Sequence, residues 1–178
     1  MKIAEIDQSL PIIIGNTLDL KEQMRAAVGE RNVYNIFPSI PFAKLKRVRW
    51  GGGQVYLKLI PYNRGETPKK AVKRLLAENY LLGDLNALGQ FMRQYPKEIK
   101  KYDAVFVLDK GSRWNDPAND KDRFWVPYAS ASGERRCLGR YRFDCPLDGK
   151  EAILVFQKTG NRIWHFLRNL FPKSGGTQ

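Results

Sequence analysis

A chain of 178 residues, 43% hydrophobic and 12% aromatic, has material for a packed core and is too apolar to stay disordered. Its longest apolar runs, Ala104–Leu108 and Ala152–Phe156, fall far short of the roughly 20 residues that cross a bilayer, and Glu5 and Asp7 stand where a secretion signal needs apolar residues. The expected compartment is therefore the cytoplasm, and the net charge of +13 draws the protein toward polyanions without selecting a fold.

Leu10–Ile14 reads as a short strand. Asp19 has the character of an N-cap, with Glu22 completing a capping box. Leu20, Met24, Ala27 and Val28 give the following helix one apolar face before Gly29 closes it. Val33–Phe37 reads as another short strand, ended by Pro38. Phe42–Trp50 and Gln54–Ile60 predict a hairpin across Gly51-Gly52-Gly53. Thr67-Pro68 starts a helix with a hydroxyl cap and a first-turn proline, and Val72, Leu75, Leu76 and Tyr80 mark its buried face. After Gly83-Asp84 a second helix carries Leu85, Leu88, Phe91, Met92 and Tyr95 as far as Pro96, and a short helical turn follows at Lys97–Tyr102.

Ala104–Leu108, apolar at every position, predicts a central strand. Lys110–Asp122 is polar, contains Asn115-Asp116-Pro117 and reads as a surface loop. A meander follows. Arg123–Ala131 turns through Ser132-Gly133 into Arg135–Cys145, and Asp148-Gly149 leads into Glu151–Gln157. A helix, Asn161–Phe171, stops at Pro172.

These elements predict an α+β fold: a mixed, largely antiparallel sheet with two or three packed helices. Residues 1–110 run β-α-β-β-α-β, the order of a ferredoxin-like core, and residues 111–172 add the C-terminal meander and helix. We read 1–172 as one domain with those two sub-layers, and 173–178 as a flexible tail.

The charge is unevenly placed. Residues 44–101 carry fourteen basic and four acidic side chains, a net of +10, and residues 135–178 carry nine and three, a net of +6. Lys44, Lys46, Arg47 and Arg49 occupy both faces of the first predicted hairpin strand. On the next helix Lys69 stacks with Lys73, and Lys70 with Arg74, at i,i+4. Like charges at that spacing cost roughly a few tenths of a kcal/mol per pair, a cost that a bound phosphate would relieve. In Arg135–Cys145, alternation puts Cys137, Tyr141, Phe143 and Cys145 on a core face and Arg136, Arg140 and Arg142 in a row on the other. Arginine forks suit phosphate oxygens, although Asp122, Glu134 or Glu151 on neighbouring segments would neutralise the row instead. The two blocks are expected to converge on one side of the molecule.

Catalytic and metal motifs are sparse. Cys137 and Cys145, eight residues apart on one predicted strand, stand about 26 Å from each other, too far for a disulfide. With the single histidine, His165, they make no zinc set. A calcium loop counted from Asp116 would need a glycine and a glutamate where Lys121 and Pro127 stand. No helix and no Gly-Lys-Ser/Thr follow the three glycines, which excludes a Walker loop. Glu98-Ile99-Lys100 and Asp148-Gly149-Lys150 match the acidic-x-lysine element of nucleases but fall on a helix and a turn.

The expectation is a basic protein that binds nucleic acid, DNA or RNA, or another polyanion, with no catalytic activity, cofactor or metal. Two alternatives stand beside it. One is an assembly subunit of a multi-protein or phage-like complex, meeting an acidic protein surface. The other is a small metal-dependent phosphodiester hydrolase. The apolar face of residues 161–171 offers either a core contact or a protein partner surface, and nothing predicts a membrane span.

Overall fold

Five consecutive apolar residues, Ala152–Phe156, leave a strand no face to turn to water, and the fold surrounds them. The computed structural model describes residues 10–14, 19–29, 36–38, 40–45, 53–116 and 120–156. In chain order its elements are β1 (Leu10–Ile14), α1 (Leu20–Val28), β2 (Gly53–Pro61), α2 (Pro68–Ala77), β3 (Leu81–Leu82), α3 (Leu85–Gln94) and α4 (Pro96–Ile99). Then come β4 (Val105–Phe106), β5 (Trp114–Asp116), β6 (Asp120–Ser132), β7 (Arg135–Arg142) and β8 (Ala152–Phe156). The chain is α+β. Among the described residues eight strands form one sheet ordered β1-β2-β8-β4-β6-β5, with β3 also beside β8 and β7 on the other edge of β6. The β4–β8 pair is parallel and the remaining strand pairs are antiparallel.

The helices form where their caps promised. Asp19 Oδ1 accepts from the Glu22 N–H at 2.9 Å, Thr67 Oγ1 from Lys70 at 3.2 Å, and Asp84 Oδ1 from Ala87 at 2.8 Å. Ser112 Oγ accepts from the Leu85 N–H at 3.0 Å and so satisfies a further first-turn amide of α3. α1 and α3 cover one sheet face over a core that includes Met24, Leu57, Leu88, Phe91, Leu138 and Leu154. α2 covers the other over Val72, Leu75, Phe106, Val126, Ile153 and Val155. β8 thus feeds both layers alternately, and each of its larger side chains contributes about 1.5–3 kcal/mol by burial.

Several expectations need correction. Phe42–Lys44 is a 3-10 turn and not the start of a strand. Ile40 and Leu45 are both buried in the α1/α3 core, and five residues of strand would have turned them to opposite faces. The partners of β2 are β1 and β8, and residues 46–52, including the rest of the predicted hairpin, lie outside the described residues. So do 33–35 of the predicted strand before Pro38, of which Ile36 makes a single parallel bridge to Leu138. The polar stretch 110–122 is not simply a loop. It holds a 3-10 turn at Lys110–Ser112, then β5 and the start of β6, anchored where buried Trp114 pairs with Trp125. β7 stops at Arg142, three residues short of Cys145. On α2, Ala71 takes the buried place expected for Leu76, which is 54% exposed. The ferredoxin-like order is not reproduced either, because both partners of β4 come from the C-terminal half. The helix expected at 161–171 lies outside the described residues. Among those described, no helix is long and apolar enough to cross a membrane.

Gly83 sits where β3 gives way to α3, and its N–H donates to the Leu154 carbonyl on β8 at 2.9 Å. A Cβ there would lie 2.7 Å from that same backbone oxygen. Gly83→Ala should therefore lower stability by about 1–3 kcal/mol, read as a fall in the urea midpoint at constant m-value. An unmoved midpoint would mean that the central strand yields at this point.

Candidate nucleic-acid interface

α2 sorts its four cations. Arg74 grips the buried Glu66 carboxylate with two hydrogen bonds, Nε to Oε1 and Nη2 to Oε2, each 2.9 Å. It also reaches the Pro61 carbonyl at 3.4 Å and Glu78 at 3.8 Å. The hydrogen bond to Glu66 pushes the guanidinium pKa above its ordinary value, so this charge is fixed. Lys69, Lys70 and Lys73 are exposed, and among the described residues none of them is in an ion pair. The helix start itself offers nothing to an anion. Pro68 has no N–H, Lys69 donates to the Phe143 carbonyl, and Lys70 and Ala71 donate to Thr67. What this end presents to solvent is side-chain ammonium groups.

The arginine strand departs from the expected picture. Period two holds, but both faces of β7 are packed. Tyr141 and Phe143 pack against the α2-side core, while Leu138, between Arg136 and Arg140, is 1% exposed in the α1/α3 core. Arg136 is half-buried and donates to the Met92 carbonyl in α3 at 2.8 Å. Arg140 lies over the Trp125 ring at 4.0 Å and the Phe37 ring at 4.5 Å. Arg142 holds Asp144 through Nε and Nη2 at 3.2 and 3.1 Å, which keeps that carboxyl below its usual range. The row is therefore not an open track. It also shares the sheet face of α1 and α3, whereas α2 covers the opposite face, so among the described residues the arginine row does not converge with the α2 cations on one side. Of the first block, Lys44 ends the 3-10 turn, while Lys46, Arg47 and Arg49 lie outside the described residues.

A corner that the charge pattern does not single out lies where α2 begins and the β6–β7 pair ends. Besides accepting from Lys69 at 3.0 Å, Phe143 donates its own N–H to the Phe124 carbonyl at 2.9 Å. The Arg113 guanidinium lies 4.5 Å from the centre of the Phe143 ring and donates to the Leu108 carbonyl. Burial lowers the Arg113 pKa while nearby Asp109 works against that shift, and burial raises the Asp109 carboxyl despite two backbone N–H donors. Phe124 is 51% exposed. The clue in the sequence was Arg123-Phe124-Trp125, consecutive large side chains that a two-sided strand cannot all bury. Elsewhere a cleft of about 600 Å³ lies between α1 and residues 36–38 and 40–43, with Lys21 and Arg25 beside Ile36, Phe37 and Phe42.

Among the described residues no group of three or more His, Cys, Asp or Glu could hold a metal ion. Cys137 and Cys145 are free thiols, and His165 lies outside the described residues. Comparison with protein-family models, curated proteins and solved structures yields no match to this chain.

The different uses of neighbouring cations on α2 can be measured. Arg74→Ala leaves the buried Glu66 carboxylate without its guanidinium and should cost about 2–3 kcal/mol in chemical denaturation. Lys73→Ala, one residue away on the exposed side, should stay within about 0.5 kcal/mol of wild type. Equal losses for the two would mean that the ion pair does not distinguish them.

Proposed function

We propose that the protein binds nucleic acid through the phosphate backbone, without acting on it chemically, and that the exposed face of α2 is the main contact. The observation that carries this reading is the sorting of charge on α2. The one cation needed by the fold is locked onto Glu66, and three adjacent lysines are left in water at mutually unfavourable spacing. Lysine is a compact, hydrated charge suited to phosphate contacts that carry no sequence information. The overall charge of +13 supports the same reading, because it steers polyanions toward the surface from a distance. The cytoplasm is the compartment this reading assigns, and two free thiols are in keeping with it.

A second reading rests on the cleft beside α1. Its apolar floor and its Lys21 and Arg25 suit an acidic protein segment with an apolar anchor, as an assembly subunit would require.

A salt titration tests the first reading. Binding to unrelated sequences should fall linearly on a log–log plot of affinity against salt. Replacing Lys69, Lys70 and Lys73 together by glutamine should flatten that slope by up to about 0.9 per lost contact for duplex DNA, or about 0.7 for single strands. Thermal stability should barely move, since exposed charges contribute roughly 0–1 kcal/mol. An unchanged slope in the triple variant would remove α2 from the interface.

A further inference from the structure

We infer that the nucleic acid taken at the α2 corner is single-stranded, and that one of its bases stacks on the Phe124 ring. The inference rests on the nucleic-acid reading above and specifies its ligand. Phe124 is one of three large hydrophobic side chains exposed among the described residues, and it forgoes part of the roughly 1.5–3 kcal/mol that burying a phenylalanine yields. Alternation along β6 places it on the α2 side of the sheet with Val126 and Tyr128. There it stands opposite Phe143, whose ring carries Arg113 and whose carbonyl accepts from Lys69 at the start of α2. Its backbone is held on both edges, by Asn115 of β5 on one and by Phe143 on the other.

An exposed aromatic ring on a strand paired at both edges, close to the start of a lysine-bearing helix, is a poor surface for an apolar protein partner and a good one for a base followed by phosphates. Phenylalanine offers only a π-face and no hydrogen bond, so it cannot read the edges of stacked base pairs. It can receive a base that is already out of a stack. Lys69, Lys70 and Lys73, on the helix that starts at this corner, are then within the reach of the flanking backbone. In a duplex the bases are stacked on one another and only the lysine contacts remain.

The test uses the whole protein, a fluorescein-labelled 20-nucleotide strand of mixed sequence, and the same strand annealed to its complement, with binding read by anisotropy at fixed salt. Phe124→Ala should weaken single-strand binding by roughly five- to 150-fold while leaving duplex binding and the salt slope unchanged. Phe124→Trp should keep the affinity, and its fluorescence should be quenched by the single strand beyond any quench in wild type. If wild type binds neither form in a salt-dependent way, the proposed function falls and the stacking falls with it. If wild type binds but Phe124→Ala leaves single-strand affinity intact, or lowers both forms equally, the stacking inference alone is overturned. Should Phe124→Ala unfold early, the Phe124→Trp variant decides, and fluorescence that the single strand quenches no more than in wild type counts against stacking.

Discussion

A strand with no polar side chain can be neither at an edge nor on a surface without exposing what water penalises. Ala152–Phe156 is such a strand, and the placement of its neighbours follows from it. β2 takes one edge, β3 and β4 share the other, and the two faces call for two helical layers. α2 lies where Ile153 and Val155 need a cover, while α1 and α3 lie where Leu154 and Phe156 do. β4 then passes its register to β6, and β6 to β7. The candidate surface is a by-product of these obligations, since the start of α2 is pinned to Phe143 only because both must meet the same core.

The positive charge is divided by chemistry as much as by position. Arg74, Arg113, Arg136, Arg140 and Arg142 each engage a protein carboxylate, a carbonyl or an aromatic ring. A guanidinium is planar, weakly hydrated and rich in donors, so it can join a packed structure and still satisfy itself. Lysine keeps its water, and the α2 lysines stay outside. A count of basic residues therefore overstates how much charge a ligand can reach, because these five arginines are already engaged within the fold.

How much of this could be read in advance depended on distance along the chain. The caps Asp19, Thr67 and Asp84 act on amides three residues away, and the starts of α1, α2 and α3 were legible to the residue, whereas α2 stops at Ala77, short of the Tyr80 expected on its face. The short span at 42–44 obeys a longer-range demand, the common burial of Ile40 and Leu45, which no alternation reveals. For the arginine strand the period was right, but the partner of Arg136 is 44 residues away, and period alone does not say what covers a face. Leu138, an apolar residue between two arginines, was the local sign that their face is covered as well. Beyond the run Arg123-Phe124-Trp125 the aromatic corner left no local sign, because Arg113 and Phe124 approach Phe143 only through the pairing of β5, β6 and β7.

The position of β8 has a consequence for how the protein is made. β2 is complete at Pro61, yet the strand that fills the gap between it and β4 begins only at Ala152, about ninety residues later and so roughly 5–20 s later at ordinary rates of synthesis. Throughout that interval the inner edge of β2, joined by that of β4 once Phe106 is made, holds unpaired amides and carbonyls beside apolar side chains, the surface on which nascent chains pair wrongly with one another. Helices α1, α2 and α3 can form from local signals while the chain waits, but neither layer has its floor until the last described strand arrives. Closing the centre of the sheet from so far along the chain raises the share of non-local contacts, which slows folding for a protein of this size.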